Sequence, residues 1–452
     1  MKRRYFGTDG VRGPFGGPLI NPTFARRLGA AAARFAKGTL ASPDQAPVII
    51  GRDTRASGLE LEFAVAEGIR SQGFQVVSVG AAPTPVVSFA VRHYRAPFGV
   101  VITASHNPAA DNGIKFFSGS GTKLKDAHEV EIERLLEEID QTDLASISPA
   151  LTVIPAVQLY NDSLAGVLPR RALQGWTVAV DCSNGAAVAT TPLVLERLGA
   201  EVIRVGDQPD GRNINDGVGS QHPEVLADRV THHRAKLGIA HDGDADRLVL
   251  VDEKGSVLDG DELLAIVARR ALSKGELRKK TLVATVQSNL GLKVAIEGWG
   301  GELVQTSVGD RYVVEAMLEG GYSIGGESSG HLIFMDVSPS GDGLVAALKV
   351  IEAMIDSGEP LSELRKCLKR FPQVVRALKV AAKPSLESLP LLKQAVAAGE
   401  TELKGEGRIL LRYSGTEPRI RLLVEGPDMS RTVAVMDALE VVVRNELDVL
   451  ED

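Results

Sequence analysis

Short apolar runs, each bounded by polar residues or glycine, recur along the chain in a fixed order. In three places one such run leads through a helical stretch and a glycine to a second run. The pairs of runs are PVIIGRDTR (47–55) with SQGFQVVSVG (71–80), TVAVDCSNG (177–185) with RLGAEVIRVG (197–206), and LVATVQSNLG (282–291) with GWGGELVQTSVG (298–309). This order predicts a parallel βαβ unit that occurs three times.

A third apolar run follows each unit, and a polar loop follows each third run. The third runs are FGVVITAS (98–105), LGIAHDGD (237–244) and GYSIGGES (321–328). The loops are TASHNP (103–108), HDGDADR (241–247) and GGESSGH (325–331), after which apolar runs resume as GIKFF, LVLVD and HLIFMD. Ligands of open α/β sheets gather at the carboxyl ends of strands, so we predict that the three loops converge on one cleft.

The end of the chain departs from this pattern. Two apolar runs, RILLR and RIRLLVEG, flank the loop RYSGTEP, and an amphipathic stretch over 431–447 predicts a closing helix. The predicted fold is therefore α/β, with three similar α/β domains of mixed, mainly parallel sheets and a smaller α+β C-terminal domain around a central cleft. The predicted domains are 1–150, 151–255, 256–368 and 369–452.

Composition narrows the functional classes. Of 452 residues, 44% are hydrophobic and 24% charged, as in soluble globular proteins, and the net charge of −7 argues against a nucleic-acid or anionic-membrane binder. Two cysteines, Cys182 and Cys367, are too few for a disulfide framework. We see no signal peptide and no apolar run long enough for a membrane span, so we expect a cytoplasmic protein.

The loop HDGDADR predicts a metal site. Asp242, Asp244 and Asp246 alternate, so in an extended loop their carboxylates point the same way and offer oxygen ligands to a hard cation. A calcium loop of the EF-hand kind is the rival, because Glu253 is the twelfth residue when Asp242 is counted as the first. Arg247 replaces the glycine which that loop requires, and RLVLVDE predicts a strand instead of a helix. Mg²⁺ is the favoured cation, and a solvated acidic turn is the alternative.

Two further loops suit parts of a sugar phosphate. RYSGTEPR combines two arginines, two hydroxyls and a glycine, which are groups that hold a phosphate dianion; an ordinary hairpin turn is the alternative. GGESSGH combines a carboxylate, two hydroxyls and an imidazole among glycines that allow close backbone approach. These groups suit sugar hydroxyls, but a flexible turn is an equal alternative, and His331 also fits a core histidine.

Ser105 has two interpretations. The sequence S-H-N-P is by itself more typical of a turn or helix start, and His106 need not act as a base because adjacent side chains in an extended segment diverge. If the loops converge, Ser105 faces three carboxylates and a phosphate site. A Mg²⁺ ion shared by the aspartates and a phosphate on Ser105 would then relieve the repulsion between them.

The chain resembles the α-D-phosphohexomutase family over essentially its whole length. The resemblance rests on four loops in this order, TASHNP, HDGDADR, GGESSGH and RYSGTEP, and on the segments YFGTDGVRG at the start and SVGDRYVVE at 307–315. The resemblance implies four domains around a deep cleft. It also implies an isomerase that moves a phosphoryl group between hydroxyls of a hexosamine monophosphate, through a phosphoserine and a bound 1,6-bisphosphate, on the pathway to UDP-N-acetylglucosamine.

The resemblance also implies roles for individual residues. Ser105 matches the phosphorylated serine, and Ser105 with Asp242, Asp244 and Asp246 matches the Mg²⁺ ligands. Lys115 and His331 match proton-transfer positions. Arg12 matches an arginine near the phosphoserine, and Arg247 matches a position that contacts the phosphate or supports the metal loop. The substrate-binding matches are Glu327, Ser328 and Ser329 in the sugar loop and Arg412, Ser414, Gly415, Thr416 and Arg419 in the phosphate loop.

Ser328 bears on the choice of sugar. Related mutases of mannose and glucose phosphates tend to carry methionine there, so serine favours an amino sugar, with a phosphomannomutase or phosphoglucomutase as the alternative. Lys115 fits an acid or a charge stabiliser better than a base, because an ammonium group holds its proton at neutral pH. The resemblance adds a sugar 1,6-bisphosphate as activator and suggests a homodimer. A phosphatase and a non-catalytic sugar-phosphate sensor are the remaining alternatives.

Overall fold

The computed structural model describes residues 3–39, 46–140, 150–414 and 418–450. In these residues the strands form four sheets. The described chain divides into two compact units, of which one comprises residues up to 287 together with 301–367, and the other comprises 288–300 together with the residues from 368 onward. The predicted site residues Gly415 and Thr416 lie outside the described residues.

The first sheet has the strand order β1-β5-β4-β2-β3-β6. Its strands are β1 (Val11–Pro14), β2 (Val48–Arg52), β3 (Val76–Ala81), β4 (Phe98–Ile102), β5 (Asp111–Ser118) and β6 (Thr152–Val153). β2 pairs in parallel with both β3 and β4, whereas β5 pairs antiparallel with β4 and β1. The helices of this domain are α1 (Pro22–Thr39), α2 (Gly58–Ser71), α3 (Thr84–His93) and α4 (Asp126–Glu137).

The central strands of the first sheet, β2 and β4, are buried on both faces, which explains their continuous apolar runs. Val48 and Ile50 pack in one core with α1, α2 and α4. On the opposite face, a Cβ on Gly51 would lie 2.7 Å from Val87 of α3, and a Cβ on Gly99 would lie 2.4 Å from Val91. Glycine in these strands therefore lets α3 approach the sheet closely.

The second and third sheets repeat this topology. The second sheet has the order β11-β10-β9-β7-β8. β7 (Thr177–Asp181) is parallel to β8 (Glu201–Val205) and to β9 (Leu237–Ala240). β10 (Val249–Asp252) is antiparallel to β9 and to β11 (Val257–Leu258). Its helices are α5 (Ala156–Leu164), α6 (Thr191–Arg197) and α7 (Pro223–His233).

The third sheet has the order β13-β12-β14-β15. β12 (Thr281–Thr285) is parallel to β13 (Glu302–Thr306) and to β14 (Ile324–Gly326), and β15 (Leu332–Phe334) is antiparallel to β14. The helices in this part of the sequence are α8 (Gly260–Lys274), α9 (Leu290–Gly298), α10 (Asp310–Gly320), α11 (Gly343–Ser357) and α12 (Leu361–Leu364). In each of the three sheets the first strand of the repeated unit (β2, β7 or β12) thus lies between the second and the third strands of that unit and is parallel to both.

The C-terminal sheet is antiparallel, with the order β17-β18-β16-β19. Its strands are β16 (Gln373–Val380), β17 (Arg408–Tyr413), β18 (Arg419–Glu425) and β19 (Val449–Leu450), and its helices are α13 (Pro390–Glu402) and α14 (Met429–Glu446). Together the four sheets confirm the predicted class, three similar α/β domains with mixed, mainly parallel sheets and a smaller α+β C-terminal domain. Within the described residues, no helix is both long and apolar enough to cross a lipid bilayer.

Candidate active site

Ser105 lies in the loop after β4 and is buried. Its φ is +53°, a left-handed conformation that costs a residue other than glycine about 1 kcal/mol or more and persists only where neighbouring groups impose it. The Arg55 guanidinium and the Asn215 amide both donate to the Ser105 carbonyl, at 3.0 and 2.9 Å, and the Ser105 amide donates to the Thr103 hydroxyl at 2.9 Å. These bonds hold the serine in place on a loop that would otherwise relax.

The Ser105 hydroxyl donates to Asp242 at 2.5 Å, so the first and second predicted loops do meet. Gly243 makes this approach possible, because a Cβ there would lie 2.8 Å from the Ser105 carbonyl oxygen. Thr84, the first residue of α3, adds a second contact between the domains. Its hydroxyl donates to the Asp244 carboxylate at 2.6 Å, and its amide donates to the Asp244 carbonyl at 2.9 Å.

The three aspartates form a buried carboxylate cluster. One oxygen from each lies within 4.8 Å of the others. Burial, together with the negative charges of Asp244 and Asp246, raises the pKa of Asp242 to about 7. Burial would also raise the pKa of Asp246, but the charges of Lys115 and His331 lower it well below its usual value. The cluster therefore concentrates negative charge that needs a cation for balance.

Lys115, on β5, supplies part of that balance. Its ammonium group is buried and lies 2.9 Å from Asp244, 3.4 Å from Asp246 and 3.1 Å from Asp9. Arg247, at the end of the aspartate loop, has its Nε 4.0 Å from both Asp242 and Asp246. The first two loops, together with β5, thus bring a serine, three carboxylates and two cations together.

His331 brings the third loop to the same place. Its Nδ1 lies 3.6 Å from Asp246 and its Nε2 lies 3.1 Å from Asp310. Burial alone would lower the pKa of His331, but the two carboxylates raise it to about 10, so the imidazole is protonated at neutral pH. His106 is different, because burial and the charges of Arg247 and Arg12 lower its pKa to about 4.

The remaining residues of the third loop are held by backbone contacts. Glu327 accepts a hydrogen bond from the Gly309 amide at 2.9 Å, and the Ser328 carbonyl accepts one from Gly260 at 3.1 Å. The Leu248 amide donates to the Gly330 carbonyl at 2.9 Å, which fixes this loop against the second domain. Ser329 is exposed, and the hydroxyl of Ser328 bonds to none of the described residues.

Arg12 lies on β1 opposite Gly113 of β5 and forms an ion pair with Asp9. Burial lowers its pKa, with the charge of Arg247 acting in the same direction. Asp9 is a residue that sequence reasoning missed, together with Arg55, Thr84, Lys123, Asn215 and Asp310. The segments YFGTDGVRG, PVIIGRDTR and SVGDRYVVE already contained Asp9, Arg55 and Asp310, but nothing in these segments specified the partners of those residues.

The predicted phosphate loop lies in the second compact unit and is described separately. Arg412 of β17 stands directly opposite Arg421 of β18, and burial and the charge of Arg421 lower the pKa of Arg412. Like charges directly opposite on a sheet are unfavourable unless an anion lies between them. The Ser414 amide donates to the Arg419 carbonyl at 2.8 Å, and the Lys383 ammonium donates to the Ser414 carbonyl at 2.6 Å. Arg421 and Lys383 are additional cations that sequence reasoning missed.

Family models match nearly the whole chain. The phosphoglucomutase/phosphomannomutase models match as α/β/α domain I over residues 3–143, domain II over 158–255, domain III over 259–371 and C-terminal domain over 372–440. A solved phosphoglucomutase/phosphomannomutase family protein from Burkholderia thailandensis superimposes with a TM-score of 0.82 at 23% identity, covering 99% of this chain and 100% of that one. An N-acetylphosphoglucosamine mutase from Aspergillus fumigatus, solved with GlcNAc-6P and magnesium, superimposes with a TM-score of 0.63 at 17% identity, covering 98% and 96%.

Two curated relatives are much more similar in sequence. A protein of Anaeromyxobacter dehalogenans named phosphoglucosamine mutase is 46% identical, covering 99% of this chain and 100% of the relative. One of Geobacter metallireducens with the same name is 47% identical, covering 94% and 95%. The chain therefore belongs to the phosphoglucomutase/phosphomannomutase family, the α-D-phosphohexomutases, and is an enzyme of the isomerase class.

Proposed function

We propose that this enzyme interconverts glucosamine 6-phosphate and glucosamine 1-phosphate, with Ser105 as the phosphoryl carrier. The observation that carries the proposal is the Ser105 hydroxyl, held 2.5 Å from Asp242 in a buried cluster of three carboxylates beside Lys115. The amino sugar is supported by relatives at 46% and 47% identity that are named phosphoglucosamine mutase. The serine at position 328 supports the same choice.

The aspartate cluster fits Mg²⁺. One oxygen each of Asp244 and Asp246 is buried and has no hydrogen-bond partner among the described residues, which leaves it available to a metal. Asp242, Asp244, Asp246 and an oxygen on Ser105 would form the ligand set, since Mg²⁺ takes oxygen ligands and binds phosphate. When bound, the ion would supply positive charge to neutralise the oxygens of the transferring phosphoryl group.

The protein's own residues suit the two half-reactions. In the first, the bond between the phosphorus and Ser105 Oγ breaks and a bond to the free sugar hydroxyl forms, giving a bound 1,6-bisphosphate. In the second, after the bisphosphate reorients, its other phosphoryl group returns to Ser105 Oγ. The sugar loses a hydroxyl proton in the first half and recovers one in the second, so protons balance over the cycle. In the first half the leaving Ser105 oxygen takes up a proton in place of the one that the sugar hydroxyl gives up, and in the second half Ser105 gives one up again. His331 and Lys115 lie beside the aspartate cluster, where they can donate to these oxygens and stabilise the phosphoryl group.

The substrate's remaining groups have matching partners in the chain. We infer that Glu327, Ser328 and Ser329 contact sugar hydroxyls and the amino group, and that Arg12 and Arg247 contact the phosphoryl group at Ser105. Arg412, Ser414 and Arg419, with Gly415 and Thr416, would bind the other phosphate, because forked guanidinium groups and hydroxyls recognise a dianion well.

The test is turnover with Mg²⁺ and a trace of glucose 1,6-bisphosphate. Glucosamine 6-phosphate is compared with glucose and mannose phosphates, and Ser105→Ala is measured beside the wild type. We expect kcat/KM to be highest for the glucosamine phosphate and the variant to lose nearly all activity. A preference for glucose or mannose phosphate would favour the alternative, a phosphoglucomutase or phosphomannomutase with the same machinery. An active Ser105→Ala would show that Ser105 is only a turn residue.

Further parts of the proposal are that a sugar 1,6-bisphosphate activates the enzyme, that its product is used for UDP-N-acetylglucosamine, and that it acts as a cytoplasmic homodimer. The four domain boundaries also stay a prediction. Sedimentation velocity measures the oligomeric state, and ³¹P NMR of the isolated protein detects phosphate on Ser105.

A further inference from the structure

Lys123 holds two carboxylates at the edge of the site. It follows β5, its side chain is only 9% exposed, and its ammonium group forms ion pairs with Asp9 and, at 2.8 Å, with Asp310. No motif in the sequence singled out this lysine. A buried ammonium group between two carboxylates is stable only while both partners remain in place, so the three residues act as one rigid bridge.

Each end of the bridge contacts residues to which the proposed function gives a role. Asp9 contacts Arg12 and lies 3.1 Å from the Lys115 ammonium group. Asp310 lies 3.1 Å from His331 Nε2. Lys123 is therefore one carboxylate away from the two groups proposed for proton transfer and from one arginine proposed for phosphate contact.

The bridge also crosses between domains. Asp9, Lys115 and Lys123 come from the first α/β domain, whereas Asp310 and His331 come from the third. Asp310 opens α10, directly after Gly309, whose amide donates to Glu327 of the sugar loop. Lys115 and His331 are thus linked through Asp9, Lys123 and Asp310 as well as through Asp246, which both of them contact directly.

A second ion pair, between Arg311 and Glu129, joins the same two domains near the bridge. Arg311, next to Asp310, donates to Glu129 of α4 at 2.6 and 2.9 Å and also contacts Asp126. This pair anchors the start of α10 to the first domain without touching Lys115 or His331. The junction would therefore persist without Lys123, while the two carboxylates of the bridge would lose the charge that orients them.

We propose that Lys123 is a positioning residue that sets Lys115 and His331 in register across the first and third domains for phosphoryl transfer. The inference rests on the proposed function. Displacements of about 1 Å in reacting groups can cost about a hundredfold in rate, so loss of the bridge should affect the chemical step far more than substrate binding.

The test compares Lys123→Met, which keeps the apolar stem but removes the charge, with Lys123→Arg, which keeps it. We expect kcat for glucosamine 6-phosphate to fall at least about tenfold in Lys123→Met, with KM changed less than about threefold, and Lys123→Arg to recover most of kcat. Tyr160→Phe is the matched control, because it removes a buried bond between domains, to Asp342 at 2.8 Å, away from the bridge. Its kcat should stay within about twofold of wild type.

A second measurement does not depend on activity. In protein labelled with ¹⁵N-histidine, the His331 ring signals, assigned with His331→Gln, should shift in Lys123→Met, return in Lys123→Arg and stay unchanged in Tyr160→Phe. Any of three results would overturn the inference. They are a wild-type kcat in Lys123→Met, a reduced kcat that Lys123→Arg does not restore, and a His331 signal that does not shift in Lys123→Met. An inactive wild type would instead overturn the proposed function, and the histidine signals would still decide whether Lys123 positions His331.

Discussion

Arg55 uses every donor of its guanidinium group. The Nε donates to Asp53 at 2.9 Å, and the two terminal nitrogens donate to the backbone carbonyls of Ser105, Asn107, Pro108 and Asp111. Five donors thus meet five acceptors, in a side chain that is fully buried. One arginine therefore fixes both the entry and the exit of the loop that carries Ser105.

Replacing Arg55 with methionine should cost stability and activity together. The change leaves the Asp53 carboxylate and four loop carbonyls without this donor, and losing one partner of a buried ion pair costs about 3–5 kcal/mol. Because Ser105 is held at a positive φ, its loop should also relax and turnover should fall. Urea unfolding and steady-state kinetics measure the two effects. The control is Arg134→Met, which removes exposed ion pairs with Glu131 and Glu138 and should leave the unfolding free energy almost unchanged.

Ser328 offers a test of sugar choice at a single side chain. Its hydroxyl is free to meet a ligand, whereas its carbonyl already holds Gly260 at 3.1 Å, so a new side chain need not move the loop. We expect Ser328→Met to shift the ratio of kcat/KM values toward glucose or mannose phosphate, by about tenfold for one lost hydrogen bond of about 1.4 kcal/mol. Ser329→Ala, its exposed neighbour, serves for comparison. If the ratio of kcat/KM values does not change in Ser328→Met, another residue recognises the amino group of the sugar.

At the scale of elements, the repeated βαβ unit and the third strand after it were predictable from sequence, because each central strand is buried on both faces and so forms a continuous apolar run. The short strands β1 and β6 were not predictable from sequence. β6 has only two residues, and one of them, Val153, is 66% exposed. The polar loops after β4, β9 and β14 were also readable. The residues that support these loops were not predictable, because Arg55, Thr84 and Asn215 reach them from other domains or distant positions, and sequence spacing does not encode such contacts.

The start of α11 shows how one capping residue links two elements. Asp342 caps the helix by accepting from the Val345 amide at 3.0 Å, and it also accepts from the Tyr160 hydroxyl of α5 at 2.8 Å. Burial raises the pKa of Asp342 to about 6. The capping bond favours the charged form, but loss of hydration outweighs it, so the folded protein binds a proton here more tightly than the unfolded chain does.

This raised pKa predicts a pH dependence of stability. A group whose pKa is higher in the folded state stabilises the fold fully below its unfolded pKa, near 4, and loses that contribution as the pH rises through about 6. Asp342→Asn keeps an oxygen for the cap and cannot titrate. We therefore expect the unfolding free energy of wild type minus that of the variant to fall by up to about 3 kcal/mol between pH 4 and pH 7. Urea unfolding at each pH measures this difference, and a constant difference would contradict the assignment.

At the scale of the whole molecule, polar bonds between domains bring the three polar loops together within the larger compact unit. Thr84 joins the first domain to the second at Asp244, Leu248 joins the second to the third at Gly330, and Lys123 joins the first to the third at Asp310. These bonds surround three buried carboxylates in a protein whose net charge is already −7. Holding three carboxylates close together in a buried site therefore destabilises the folded protein in the absence of a bound cation.

That conflict predicts opposite responses of stability with and without metal. In EDTA, Asp242→Asn should melt at a higher temperature than wild type, because burial and its two neighbours disfavour charge on Asp242. Added Mg²⁺ should stabilise wild type by about 2.7 kcal/mol at a hundredfold excess over Kd, and the variant by much less. The control is Asp252→Asn, a buried aspartate of the same domain paired with Arg365 at 3.1 Å; it should lose stability in EDTA yet keep the full Mg²⁺ response. Scanning calorimetry of the three proteins decides the matter, because an equal Mg²⁺ shift in Asp242→Asn would place the metal elsewhere.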